Sequence, residues 1–573
     1  MPVHNADVAA LFEDVADLLA IQGENAFRIR AYRNAARTLN QLSRPVADLV
    51  AAGKDLSDLP DIGDDLAGKI VTIVETGTLP LYDELAQDIP PSVADLLRIP
   101  GLGPKRVRRL RDALGVDSRA ALKRAAETGK VQALDGFGET MEQNILDGLA
   151  QTSDDARWLL ARVEPIVASL HDHVSAHDAV ERVDAAGSYR RRKETVGDLD
   201  VLALADDGPA VTEHFAAYED VAETLSQGDT RASVRLRSGL QADLRVVPPK
   251  SYGAALLYFT GSKAHNVALR DRAVAAGLKL NEYGAFREDT EKRVAGTTED
   301  DIYDLFDLPY IVPELRENRG ELDAAADGTL PDLVTRADLR GNLHTHTTYS
   351  DGRHSLEEMA AAAQTRGLEY LAVTDHSPAV AVVQGLDADA LRAQMDAIDR
   401  LNEDLDDLRV LKGIEVDILK DGSLDLPDAV LADLDLCLCA LHTALDLDEE
   451  TQTERVLRAL DNPHVHVLAH PTGRRINERP PIEIDLDRVM EAAADRGCVL
   501  ELNAQPERLD LSDVHCRRAK ELGLPLVIGA DAHSTDGLDV LHYGVDQARR
   551  GWLEADDVLN TKPWDEIAPV FDR

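Results

Sequence analysis

Cysteine, methionine and aromatic residues are scarce: 573 residues contain four Cys, five Met and 4% Phe, Trp and Tyr. Four thiols cannot staple a chain of this length. They fit a reducing compartment, so a cytoplasmic protein is expected. Two of them, Cys437 and Cys439, sit in the apolar run LDLCLCAL, which reads as buried strand rather than zinc site. No run approaches the roughly 18 apolar residues of a membrane helix. The start MPVHNADVAALFEDV lacks a basic flank and a continuous apolar stretch, so no signal peptide is expected. Positive charge is scarce too. Lys and Arg number 62 against 105 Asp and Glu, for a net charge of −43, and only 14 of the 62 are Lys. Such a carboxylate excess fits concentrated salt, where repulsion is screened over a few ångströms. What is present is a globular composition, 44% hydrophobic, with length for three or four domains of about 100–200 residues.

A charge of −43 argues against nucleic acid unless positive charge is concentrated somewhere, and it is. Between Arg98 and Lys130 ten Lys and Arg face only Asp112, Asp117 and Glu127. A charge run is ordinarily a solvated helix face, but this one overlaps a repeated loop. LPDIGDDLAGKI (Leu59–Ile70), IPGLGPKRVRRL (Ile99–Leu110) and LDGFGETMEQNIL (Leu134–Leu146) share an apolar residue, a Gly turn and an amphipathic helix. The glycines are Gly63, then Gly101 and Gly103, then Gly136 and Gly138. A Gly turn leaves backbone N–H groups free at a helix N-terminus, where they suit a phosphate. Lys105 and Arg106 reinforce the second copy; Asp61, Asp64 and Asp65 weaken the first. The pattern resembles the helix-hairpin-helix motif, which grips the sugar-phosphate backbone without reading bases.

In GSYRRRKETVGDLDVLAL (Gly187–Leu204), the alternating second half reads as a strand. Asp198 and Asp200 then project from one face. Paired carboxylates repel unless cations lie between them, and hard oxygens suit Mg²⁺. Asp243 interrupts another strand-like run, LQADLRVV. Asp-x-Asp alone ordinarily marks a strand end in an acidic chain. Here Gly187-Ser188 and the run Arg190–Lys193 precede it, and such donors hold phosphate. Carboxylates for two metals beside a triphosphate cradle are the parts of nucleotidyl transfer.

This segment resembles the palm signature of family X DNA polymerases, and YFTGSKAHNVALR (Tyr258–Arg270) resembles their nucleotide-pocket segment. The resemblance implies that Asp198, Asp200 and Asp243 form the catalytic metal triad, with Asp243 nearest the primer 3′-hydroxyl. It places Gly187, Ser188 and Arg191 at the triphosphate, Tyr258 and Asn266 at the sugar and base, and Arg270 on the template side. His265 stands where the family has Phe. In FRIRAYRNAARTL, Arg28, Tyr32 and Arg33 fall at positions near a 5′-phosphate. Lys69 falls where some members keep a Schiff-base lysine that excises 5′-deoxyribose phosphate. On a helix Asp65 faces Lys69 from four residues away and stabilises its ammonium, so weak or absent excision is expected.

From about Leu339 apolar runs of strand length alternate with amphipathic helical stretches. Each run ends at a residue of ligand type: His344 and His346, Asp375-His376, Glu415, His442, His470, Asn503, then Asp531 and His533. Seven strand-helix units imply a closed parallel barrel, with its site at the C-terminal strand ends. One such His is ordinarily structural; this many on one face are not coincidence. HTHTTYSDG, TDHS, GIE, LH, AHP and DAH resemble the motifs of the polymerase and histidinol phosphatase (PHP) domain. That resemblance implies nine metal ligands. His344, His346, Glu415 and Asp531 share one metal. Glu415 bridges to a second held by His442 and His470, and Asp351, His376 and His533 hold a third. Arg474 and Arg475, just after His470, are candidate phosphate clamps.

The expected architecture is therefore multidomain: a helix-hairpin-helix region, an α/β nucleotidyltransferase palm with a small thumb, and a distorted (β/α)7 PHP barrel. The boundaries read as an end-binding domain at 1–88, a second hairpin subdomain at 89–150, palm at 151–248 and thumb at 249–316. A linker at 317–338 and the PHP domain at 339–573 follow. The expected activity is gap-filling DNA polymerisation in repair, coupled to a 3′–5′ exonuclease. The cofactors would be two Mg²⁺ in the palm and up to three Mn²⁺ or Zn²⁺ in the barrel. The partners would be gapped or nicked DNA and deoxynucleoside triphosphates, with no membrane, and the protein a monomer. The alternatives are a small-molecule or 3′-end phosphatase with a vestigial polymerase half, and a non-catalytic DNA-end scaffold.

Overall fold

The computed structural model describes residues 5–41, 46–59, 61–98, 102–134, 137–138, 141–142, 145–146, 157–380 and 384–572. They form two compact units, Met1–Ala156 and Arg157–Arg573. No helix among the described residues is long and apolar enough to cross a membrane.

The first unit is helical. Helices Asn5–Gln22, Ala26–Gln41, Asp64–Thr76 and Pro104–Leu114 pack around Phe12, Leu39, Ile70, Val107 and Leu110. Two of the repeated glycines start helices. Gly63 and Gly103 are the extended N-caps of Asp64–Thr76 and Pro104–Leu114, and neither helix has a side-chain cap. Both helices stop at left-handed glycines, Gly77 (φ 72°) and Gly115 (φ 66°), a conformation that costs a residue with a Cβ.

The second unit begins with a five-stranded sheet. Its order is Val180–Ala185, Asp198–Ala205, Gln241–Val247, Arg231–Leu236 and Val221–Gln227. The second and third strands run parallel, with Asp200 in register with Asp243. Helices Leu160–Ser175 and Gly208–Ala216 cover the sheet through Leu170, Val211 and Phe215. Helices Tyr252–Thr260 and Lys263–Ala275 follow, with a three-stranded antiparallel sheet.

Seven parallel strands in strict sequence order make up the rest, from Gly341–Asn342 to Leu526–Gly529. The first and last strands meet through side chains. Asn342 Oδ1 accepts from Ala530 N at 2.8 Å. Asn560 donates to the carbonyls of Gly341 and Ile528, each at 2.9 Å. The expected distorted seven-fold barrel is present, and its strand ends gather on one face. Cys437 and Cys439 lie on its strand Leu436–Ala440, and all four cysteines are buried.

Residues 317–338, expected to be a linker, are instead built into this unit. They include the helix Glu321–Asp327, and Glu321 is fully buried with its Oε1 2.6 Å from His265 Nδ1. Glu317 lies 3.0 Å from Arg191 and 3.2 Å from Arg550. Buried ion pairs hold the segment, together with the scattered apolar residues Leu322, Ala325, Leu333 and Val334, which join the surrounding cores. Palm and barrel also meet directly. Arg192 bridges Glu164 and Asp546, and Leu509 and Tyr543 from the barrel join the palm core.

Candidate active sites

The palm site is a cavity of about 710 Å³ lined by Asp198, Asp200, Ser188, Arg191, Tyr258 and Asn266, among others. Asp198 is exposed and Asp200 half-buried. Asp243, beside Asp200, accepts from Ser233 Oγ and, at 2.9 Å, from Gln241 Nε2. Gly187 has φ +62°, and a Cβ there would lie 2.5 Å from Asp200 Oδ2, so only glycine lets the Gly-Ser turn approach the carboxylates. Burial raises the Asp200 pKa to about 7, and the charges of Asp198 and Asp243 add to it. Arg191 is held by Glu317 and by the Thr260 carbonyl, so its fork reaches the cavity from a fixed direction. Asn266 Nδ2 donates to the Tyr258 carbonyl at 2.7 Å, and Arg270 lines the same wall. His265 takes no part: it is fully buried, bonded to Glu321 and Tyr303.

In the barrel all nine predicted ligands converge. Three groups hold their donor atoms within 4.8 Å of one another: His346, Asp351, His376 and His533; His344, His346 and Asp531; and His376, Glu415 and His442. The grouping differs from the expected one in that His346 joins two groups and His376 stands with Glu415. Glu415 is central. Its Oε1 is 2.9 Å from His470 Nε2 and 3.4 Å from His442 Nε2, and its Oε2 is 2.9 Å from His376 Nδ1. His344 Nε2 and His346 Nε2 stand 3.1 Å apart.

These side chains fit a cluster of divalent cations. His346 Nδ1 and His470 Nδ1 are buried without hydrogen-bond partners, and the close contacts of His376 Nδ1 with Glu415 Oε2 and of His442 Nδ1 with Asp417 lack hydrogen-bond alignment, a costly state for polar atoms unless something else satisfies them. The electrostatics agree. Burial works against the ionised Glu415 and Asp531, yet the surrounding imidazoles hold both carboxyls well below the usual range. His533 is held up to about 9: burial opposes its charge, but Asp351 and Asp531 outweigh it. Burial and then His533 push His346 down to about 3.

The comparisons with known proteins agree with this geometry. Family models match a helix-hairpin-helix domain at 3–79, a SAM-like helix-hairpin-helix tandem at 93–151, a DNA polymerase beta thumb at 255–317 and a PHP domain at 342–504. The DNA polymerase/3′-5′ exonuclease PolX of Bacillus subtilis (strain 168) is 36% identical over 574 residues, covering 100% of both chains. The chain belongs to the PolX family. Two proteins named probable phosphatases match only part of it. One from Thermoanaerobacter sp. (strain X514) is 29% identical over 38% of this chain and 89% of its own length. One from Acetivibrio thermocellus is 33% identical over 33% of this chain and 78% of its own length.

In this PolX chain the expected DNA contacts of the first unit are partly in view. Lys105 and Arg106 are exposed beside the Gly103 N-cap, and Gly138 is exposed; Gly101 and Gly136 lie outside the described residues. Arg28 pairs with Glu24 and Arg33 with Asp17. Tyr32, expected near a 5′-phosphate, is a core residue, packed edge-on against Phe12. Lys69 is paired with Asp65.

Glu501 and Asp417 went unread in the sequence, which marks Asn503 only as a strand-end residue. Glu501 Oε1 lies 2.7 Å from His344 Nδ1, which turns Nε2 of that ring toward the cluster. Asn503 donates to Asp531 at 3.0 Å, and the buried Asp417 accepts the backbone N–H of His442 at 3.0 Å and stands 3.2 Å from its ring Nδ1. The i, i+2 spacing of Glu415-Val416-Asp417 and Glu501-Leu502-Asn503 was the available signal: both members face the barrel interior. Neither candidate phosphate clamp stands in the ligand cluster: Arg474 is consumed by Glu194 and the carbonyls of Arg508 and Leu509, and Arg475 turns to Glu478 at 3.1 Å and lines a separate cavity.

Proposed function

We propose that this chain fills short DNA gaps in repair as a DNA polymerase and trims 3′ ends as a metal-dependent 3′–5′ exonuclease. The observation that carries the reading is the coexistence, in one compact unit, of a palm with three strand-borne aspartates and a barrel with nine converging ligands. In the palm, Asp198, Asp200 and Asp243 would hold two Mg²⁺, which when bound activate the primer 3′-hydroxyl and neutralise the triphosphate. Ser233 and Gln241 orient Asp243. The Gly187-Ser188 turn and Arg191 bind the phosphates. Tyr258 and Asn266 bound the sugar and base, and Arg270 the template side.

In the barrel the nine ligands would hold up to three ions, Mn²⁺ or Zn²⁺ by donor type, which when bound supply an activated water for attack on the terminal phosphodiester. Glu501, Asn503 and Asp417 fix the directions in which His344, Asp531 and His442 point. Gapped DNA would be gripped by the glycine turns of the first unit. A phosphatase with a vestigial polymerase half, or a DNA-end scaffold, leaves the palm cavity and its paired carboxylates without a role.

Primer extension and 3′ digestion on gapped DNA, with each metal in turn, test the reading. Asp198→Ala with Asp200→Ala should abolish extension and spare digestion. His344→Ala with His346→Ala should do the reverse. Loss of both activities in either folded variant would show that the two chemistries are not separate sites.

A further inference from the structure

A second cavity, of about 420 Å³, lies between the palm and the barrel. Glu194 lines it from the palm side and residues 474–481 from the barrel side. Glu194 also lines the palm cavity, as does Arg157, whose carbonyl accepts from Asn477 Nδ2 at 2.6 Å. The two cavities therefore abut. At its far end the 474–481 loop springs from His470, so it runs from one candidate active site to the other.

This passage carries unbalanced positive charge. In the second unit the buried Arg455 is held by backbone carbonyls, while Arg192 pairs with Glu164 and Asp546, Arg316 with Glu299, and Arg550 with Asp513 and Glu317. Arg479 instead donates twice to the Gly473 carbonyl, at 3.1 and 2.6 Å, and among the described residues has no carboxylate within ion-pair distance. Arg475 has only Glu478, at 3.1 Å, and its side chain is 46% exposed. Arg508 stands 3.7 Å from Asp531, at the edge of the ligand cluster. After burial, Arg508 and Arg475 disfavour the Arg479 cation, and Glu478 favours it. Among the residues lining the cavity Arg474, Arg475 and Arg479 outnumber Glu194 and Glu478, and Arg508 stands between this loop and the ligand cluster; in a chain of net charge −43 such a local surplus suits a polyanion. Forked guanidinium donors suit phosphodiester oxygens. A cavity of this volume admits a nucleotide-sized guest and no duplex, and Pro480 and Pro481 give it a stiff edge.

We propose that Arg475, Arg479 and Arg508 form a phosphate track that carries an unpaired 3′ strand from the palm cavity to the barrel cluster. The proposal rests on the polymerase–exonuclease reading and deepens it: a terminus that fails to pair is passed along a single-stranded path inside one chain. A charged groove that follows the backbone is the general means of holding single strands without sequence preference.

The test uses the full-length, Mn²⁺-loaded protein, with Arg475→Ala/Arg479→Ala and Arg475→Lys/Arg479→Lys beside the parent. Three rates are measured: removal of a mismatched 3′ terminus from gapped DNA, hydrolysis of the p-nitrophenyl ester of thymidine 5′-monophosphate, and extension of a matched terminus. The Ala variant should lose tenfold or more of mismatch removal and keep the other two rates, and the Lys variant should recover part of the loss. The salt dependence of mismatch removal should flatten by about two phosphate contacts, ~0.7 each in log–log slope. Unchanged mismatch removal overturns the track. So does a parallel fall in ester hydrolysis, or loss of all three rates in both variants, which would make these arginines structural. A parent protein that hydrolyses the ester and extends primers but removes no mismatched end overturns the track alone. A parent inactive in all three assays refutes the polymerase–exonuclease reading itself, and the track with it.

Discussion

Asp200→Asn is expected to stabilise the metal-free protein while removing its polymerase activity. The Asp200 carboxylate is half-buried, and Asp198 and Asp243 are both ionisable beside it. Burial first, then those two charges, lift its pKa from 3.8 to about 7, against the pull of Arg245 and Arg191. Below pH 3.8 the folded and unfolded chains are both protonated there, and the group contributes nothing. As pH rises toward 7 the unfolded chain ionises first, so folding stability falls; above 7 the full penalty stands. At 1.36 kcal/mol per pH unit the penalty is capped at about 4 kcal/mol. Asparagine keeps the shape and removes the charge. Urea unfolding followed by tryptophan fluorescence reads the effect, because Trp158, Trp552 and Trp564 all lie in the second unit. In EDTA near pH 8 the variant should unfold at higher urea than the parent, and the gap should shrink to less than half near pH 5. Saturating Mg²⁺ should reverse the order, since the parent gains RT ln(1 + [Mg²⁺]/Kd) and the variant loses the ligand. A variant less stable than its parent at pH 8, or a gap that does not change with pH, would refute the reasoning.

Glu501→Ala should lower metal affinity in the barrel about 10- to 100-fold, with Glu501→Gln between it and the parent, because the 2.7 Å contact to His344 is lost; metal retained after dialysis, measured by mass spectrometry, checks this. Lys69 should give weak or no 5′-deoxyribose phosphate excision, since Asp65 holds its ammonium while Arg28 and Arg33 are occupied by Glu24 and Asp17. Borohydride trapping of a DNA adduct that disappears in Lys69→Ala would prove the opposite. The charge of −43 predicts folding and activity optima well above physiological salt, with DNA held more by hairpin backbone donors and forked arginines than by diffuse charge. An enzyme fully active at low salt that loses DNA steeply as salt rises would contradict this.

Local pattern was enough for the strand at Asp198 and for the barrel with its strand-end residues, while the palm, the thumb and Asp351 were implied by family resemblance. Period-2 alternation fixed the strand bearing Asp198 and Asp200, and seven apolar runs each ending in His, Asp, Glu or Asn announced the barrel. Both signals survive because a strand's side-chain period and a barrel's face geometry follow from the backbone. Residues whose partners are distant in sequence were not legible. Glu321 gives no local sign that it meets His265, 56 positions away, nor Arg474 that Glu194, 280 positions away, will consume it. The same holds for the 317–338 segment, which has the composition of a spacer and is held by buried charge and a few scattered apolar side chains. An apolar stripe declares burial in the sequence because many neighbours repeat it. A buried ion pair is a single long-range choice, made only when the folded chain brings the two charges together.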